Sequence, residues 1–201
     1  MKSIKNYMLL FAVAAGIAFA PACSNDRTAA NNDNKNEDPK DAAEDHNDAK
    51  FTTNNSEKDA QFLVDAADIN LAEANMGKLA ATQGMTKEVR ELGEMMNREH
   101  QKAYDDLTAL AKKKNITIPA AVSDNAQKNY NTLSEKRGSD FDKDFCDAMV
   151  TGHKDAIDKF ENASKESTDP DIQTWASNML PSLRTHLDHS MDCQEKVKAM
   201  K

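Results

Sequence analysis

From Ser56 onward, apolar residues recur in alternating steps of four and three, a spacing that stacks them on one face of an α-helix. Four stretches follow this rule. The first, from about Ser56 to Gln83, carries Phe62, Ala66, Ile69, Glu73, Met76 and Ala80 on its seam. The second carries Val89, Gly93, Met96, His100, Ala103, Leu107 and Leu110. The third carries Phe145, Cys146, Met149, His153, Ala156, Ile157 and Phe160. The fourth carries Ile172, Ala176, Met179, Leu183, His186, Ser190, Cys193 and Val197. No strand-like alternation and no glycine-rich phosphate loop interrupts them. The pattern predicts an all-α domain over residues 56–201, an antiparallel bundle of four long helices around a single core.

Punctuation residues agree with these limits. Gly84 can end the first helix and Thr86 can cap the second, which closes in Lys112-Lys113-Lys114, favourable against the helix dipole. Residues 116–122 cross over around Pro119, and a short extra helix is expected from Ser123 to Arg137, closed by Gly138. Ser139-Asp140-Phe141-Asp142 has the spacing of a capping box, with aspartate in the last place. Asp169-Pro170-Asp171 reads as a capping acid followed by proline at the first helical position. Pro181, inside the fourth helix, is expected to bend it near Ser177.

Each seam carries one coordinating residue near mid-helix: Glu73, His100, His153 and His186. In an antiparallel pair, positions whose numbers have equal sums lie at equal height. His153 and His186 share their sum with Cys146 and Cys193, so histidine faces histidine and cysteine faces cysteine. The first two helices turn near Gly84, which sets Glu73 opposite Met96 rather than His100. That offset is one turn, about 5 Å, and a glutamate side chain crosses most of it. Three imidazoles and a carboxylate at one level form a plausible set of ligands for one zinc, copper or iron ion. The competing reading is a metal-free polar network in which Glu73 accepts from the histidines.

The remaining candidates read as packing or solvated positions. Met76, Met96, Met149 and Met179 suit core packing, and His189 falls at a seam edge; Glu99 and Asp106, beside the second seam, are expected on solvated flanks, with support of the central histidines as the alternative. Trp175 and Tyr104 look like packing residues. No serine–histidine–acid arrangement can be placed, and an enzyme would need a free coordination position that sequence does not reveal. Cys146 and Cys193 are expected to form a disulfide between the third and fourth helices, given an oxidising compartment.

That compartment is implied by the N-terminus. Lys2 and Lys5 precede an apolar run from Met8 to Phe19 and the small residues Ala20-Pro21-Ala22, the layout of an export signal over residues 1–22. The run is too short for a transmembrane helix, which needs about twenty residues. Ala20-Pro21-Ala22-Cys23 resembles a bacterial lipobox, with Ala20 where leucine or valine is usual. It implies lipidation of Cys23, an outer-membrane lipoprotein, and anchorage to the cell envelope facing the periplasm or the cell surface. Ordinary cleavage after Ala22 is the alternative. Residues 23–55, rich in Asn, Asp, Ala and Lys, are expected to be a disordered acidic tether on which His46 is solvated. The net charge of −8 excludes the phosphate-neutralising surface that nucleic-acid binding rests on, and membrane association must come from the anchor.

Residues 59–197 also carry Leu71-Ala72-Glu73-Ala74-Asn75-Met76-Gly77-Lys78-Leu79-Ala80, Glu99-His100, Phe141-Asp142 with Met149-Val150 and His153, and Leu180-Pro181 followed by His186-Leu187. With these pieces the chain resembles the domain of unknown function 4142 family, predicted outer membrane proteins. The resemblance implies a ferritin-like four-helix bundle and lends no biochemical role. Di-iron bundles place a carboxylate three residues before each of two histidines. Here Asn97, Val150 and Leu183 stand there, so one metal fits better than a di-iron pair. A metal-free structural or protein-interaction module of the envelope, its protein partner unknown, is the alternative function.

Overall fold

A computed structural model describes residues 37–200. They form six helices: α1 (Pro39–Asp48), α2 (Asn54–Gln83), α3 (Lys87–Lys114), α4 (Asp124–Ser134), α5 (Gly138–Glu166) and α6 (Pro170–Ala199). No strand occurs among the described residues, so the domain is all-α. The signal peptide and Cys23 lie outside them. No described helix is long and apolar enough to cross a membrane.

Two tight hairpins, α2–α3 and α5–α6, pack side by side in a helical bundle. Cross-hairpin pairs give the directions. Lys159 reaches Asp65 while Thr168 reaches Asp59, so α2 and α5 are antiparallel. His186 meets Glu99 while Asp171 meets Lys113, so α3 and α6 are antiparallel too. α3 and α5 therefore run the same way, and the chain must return along the bundle between them. The segment containing α4 makes that return, and Asp68 on α2 pins its start by accepting from the Ser123 backbone N–H at 2.7 Å and hydroxyl at 2.8 Å.

The helix ends follow the sequence except around Gly138, where α4 stops at Ser134 and Gly138 begins α5 rather than closing the short helix. Thr86 caps α3, Ser123 caps α4 and Asp169 caps α6, each accepting from a backbone N–H of the first turn. Asn115 closes α3 in the left-handed conformation. The capping box at Ser139 is not formed. α5 starts at Gly138, whose φ of +60° suits glycine, and its N-cap Arg137 makes no side-chain bond. Asp142 instead reaches the α2–α3 turn, where its two oxygens accept from the backbone N–H groups of Met85 (2.8 Å) and Thr86 (2.9 Å). A fully buried carboxylate is better satisfied there than at a solvated helix end. α6 continues through Pro181.

The tether expectation fails over residues 39–48. Asp38 caps α1 by accepting from Lys40 N–H, Pro39 begins it, and Ala43 and Asn47 are buried against the domain. The Asn47 amide donates to the Thr117 carbonyl and accepts from the Thr117 N–H, both at 2.8 Å. His46 is exposed, as expected, and its ring also meets the Thr117 hydroxyl at 2.7 Å. Polar bonds to the crossover hold this helix, and apolar periodicity therefore did not announce it.

The core lies in two apolar clusters. One gathers Leu63, Ala67, Leu107, Phe160, Ile172 and Leu183; the other gathers Val89, Met96, Phe141, Phe145, Met149 and Cys193. Between them lie the buried polar side chains of Asn70, Glu73, His100, His153 and His186.

Candidate metal centre

All four residues singled out from the seams meet. The ring centroids of His100, His153 and His186 are 5.0–5.4 Å apart, and one nitrogen from each lies within 4.8 Å of the other two, close enough for the three to hold a metal ion. Glu73 Oε2 stands 3.0 Å from His100 Nε2, so its side chain does cross the expected offset. Glu73 Oε1 is 3.5 Å from His153 Nδ1.

Hydrogen bonding fixes which nitrogen of each ring carries the proton. His153 Nδ1 is 2.9 Å from the Met149 carbonyl, which can only accept, so Nδ1 donates. His186 Nε2 donates to the Glu99 carboxylate at 2.7 Å. The Asn70 amide donates to the Ala66 carbonyl at 2.7 Å, leaving its oxygen to accept from His100 Nδ1 at 2.9 Å. The other nitrogens, His100 Nε2, His153 Nε2 and His186 Nδ1, are buried without a hydrogen-bond partner, as is Glu73 Oε2. In the neutral rings these nitrogens carry lone pairs. Glu73 Oε2 and His100 Nε2 are close but misaligned for a hydrogen bond.

Electrostatics sharpen the picture. Burial pushes the Glu73 carboxyl up, but attraction to His153 and His100, which acts whenever those rings carry a second proton, outweighs it and holds the group at about 2. Burial holds His186 below its ordinary value of 6.5, against the opposing pull of Glu99. Glu99 itself stays below the usual glutamate value: partial burial raises it, and the bonds to His186 and Arg98 together more than compensate.

Of two supporting residues, sequence reasoning underrated one and missed the other. Glu99, read as a solvated flank, orients His186. Asn70, not noticed at all, orients His100. The signal for Asn70 was its spacing of four from Ala66 and three to Glu73. The buried face of α2 runs through Leu63, Ala66, Asn70, Glu73 and Gly77, while Phe62, Ile69 and Met76 lie at its edge. His189 is exposed and Asp106 pairs with Lys102, neither in the cluster. Met96 and Met149 pack in the apolar cluster, and Tyr104 donates to the Pro119 carbonyl at 2.9 Å.

Cys146 and Cys193 face each other as the register requires, with sulfurs 2.7 Å apart. The expected disulfide is not formed: both are free, and the separation exceeds the ~2.05 Å of an S–S bond. The adjacent Cys193 and burial push the Cys146 thiol up, so it stays protonated.

No curated protein sequence matches the chain. Among solved structures it is similar to the crystal structure of a DUF305 fragment from Deinococcus radiodurans, with a TM-score of 0.61 at 11% identity over 69% of this chain and 96% of that one. At that identity the likeness speaks for the fold. The family model of the domain of unknown function DUF4142 matches residues 42–192, from within α1 to the last turns of α6, and the chain belongs to that family.

Proposed function

We propose that this protein is an envelope-anchored lipoprotein whose ferritin-like four-helix bundle binds one transition metal ion through His100, His153, His186 and Glu73, for metal buffering or protection against metal stress. One observation carries the reading: the three imidazoles each bring a nitrogen within 4.8 Å of the other two, with Glu73 against two of them, and one nitrogen of every ring and a Glu73 oxygen are buried and unpartnered while the opposite ring nitrogen is engaged elsewhere. Metal-binding histidines have this layout, each with its outer N–H held by a carbonyl or carboxylate. In a metal-free network Glu73 would accept from the histidines, yet their N–H groups already serve Asn70, Met149 and Glu99. Leaving four polar atoms unmatched costs about 1–3 kcal/mol apiece, which a bound cation would remove.

The bundle topology supports the ferritin-like reading, because one long crossover joining two parallel helices is the feature that separates such folds from simple up-down bundles. The anchor rests on the lipobox-like Ala20-Pro21-Ala22-Cys23. Export would place Cys146 and Cys193 in an oxidising compartment. There the thiols would lose two protons and two electrons to a more oxidising disulfide and form their own.

Protein purified without chelator is expected to contain about one equivalent of zinc, copper or iron by elemental analysis, abolished in His153→Ala. No metal, together with a melting temperature indifferent to adding or stripping it, would refute the site. Mass measurement of the same preparation under non-reducing conditions is expected to show Cys146 and Cys193 blocked to alkylation, and free thiols at both would refute the disulfide.

A further inference from the structure

We infer that the groove between α2, α4 and α5 is the path by which the metal ion enters and leaves the histidine site, with the Glu73 carboxylate as the moving ligand at its inner end. This rests on the metal reading above and adds the route and the mobile part.

The groove encloses ≈ 560 Å³, and both Glu73 and Gly152 line it. The four ligands are not equally held. Each imidazole is locked by the hydrogen bond of its outer nitrogen, to Asn70, Met149 or Glu99. Glu73 has no such anchor. Oε2 is unpartnered, and Oε1 is 3.5 Å from a His153 nitrogen that already donates to a carbonyl. The least restrained ligand is thus also the one at the groove.

Gly152 gives that ligand room. A Cβ there would stand 2.9 Å from Glu73 Oε1 and, beyond its own stretch of helix, meet no other atom within 4 Å. Glycine in a helix interior is less stable than alanine, and only the carboxylate benefits here. Charge favours the same path. Asp68, Asp144 and Asp155 line the groove with Glu73, against Lys159 in the lining and Lys136 and Lys143 paired to Asp144 from outside it, a balance that still favours cations at its mouth. The cleft between α3 and α6, ≈ 270 Å³ and bordered by Glu91 and Asp192, includes none of the four ligands in its walls.

The test uses the full chain loaded with Zn²⁺, following release into an excess of a chromophoric chelator and uptake from a buffered zinc indicator at low ionic strength. Gly152→Leu is expected to keep one bound ion and slow its release about tenfold. Asp144→Asn with Asp155→Asn is expected to slow uptake about threefold at low salt and hardly at all at high salt. Glu91→Gln with Asp192→Asn should leave uptake unchanged. Wild-type release from a zinc-loaded Gly152→Leu, or equal effects of the two charge pairs, would overturn the path while the site stands. If Gly152→Leu binds no zinc, the charge pairs decide alone. A wild-type chain that takes up none of zinc, copper or iron removes the site itself, a result read from stoichiometry before any rate is measured.

Discussion

Each imidazole at the centre of this protein is aimed by a residue that is not itself a candidate ligand. Asn70 is the most exposed to test. Its oxygen is the acceptor that turns His100 Nε2 inward, and its amide is tied back to Ala66. Asn70→Ala is expected to weaken metal binding about 10–100-fold, measured by competition with a chelator of known affinity. Alanine is the better helix former, so lost helicity would not account for the effect. Unchanged affinity would show that Asn70 does not aim the ring. The ligands were legible in sequence because histidine and glutamate stand out among apolar neighbours at helical spacing. Asn70 was not, because Ile69 beside it satisfies the same four-three count and is the more apolar choice. A one-residue rotation of the seam decides between them, and only packing against α3 sets that rotation.

Among the helices, α2 and α3 approach closely enough for backbone to meet backbone. A Cβ on Gly77 would lie 2.6 Å from the Asn97 backbone nitrogen and 2.7 Å from the Gly93 carbonyl; one on Gly93 would lie 2.6 Å from the Ala81 nitrogen. The obstacles are backbone, which cannot step aside as a side-chain tip can. Gly77→Ala is therefore expected to destabilise the fold by about 1–3 kcal/mol in a urea titration, despite the better helix propensity of alanine. A stabilised variant would contradict the close crossing. Gly77 lies one turn from Glu73, so this contact also sets how far Glu73 stands from His100. The four long helices were legible because their apolar faces carry the period. α1 and the true start of α5 were not, because polar bonds to distant backbone groups define them: Asn47 to Thr117, and Asp142 to the α2–α3 turn. Spacing along one helix cannot report a partner seventy residues away.

For the whole molecule, the buried polar layer sets the response to acid. His186 is held below 6.5, so the unfolded chain takes up a proton first, and stability of the metal-free protein falls as pH drops below that value. Glu73, held at about 2 against an ordinary 4.5, contributes stability that is whole above 4.5 and lost as pH falls toward 2. Urea midpoints are expected to decline in two stages, the first near neutrality and the second among the carboxylates. Glu73→Gln should remove the second of these contributions. A flat profile between pH 7 and pH 5 would contradict the first. Metal affinity should fall over the same upper range, because the imidazoles must be neutral to coordinate.

The two hairpins divide the candidate ligands evenly: Glu73 and His100 belong to the first, His153 and His186 to the second. Neither half can build the site alone. An ion held there acts as a clasp between two separately formed halves, and its binding energy goes to their docking rather than to the helices within each. The grip of one half on the other would then rise with the free metal around the protein, making the tightness of the fold a readout of its surroundings.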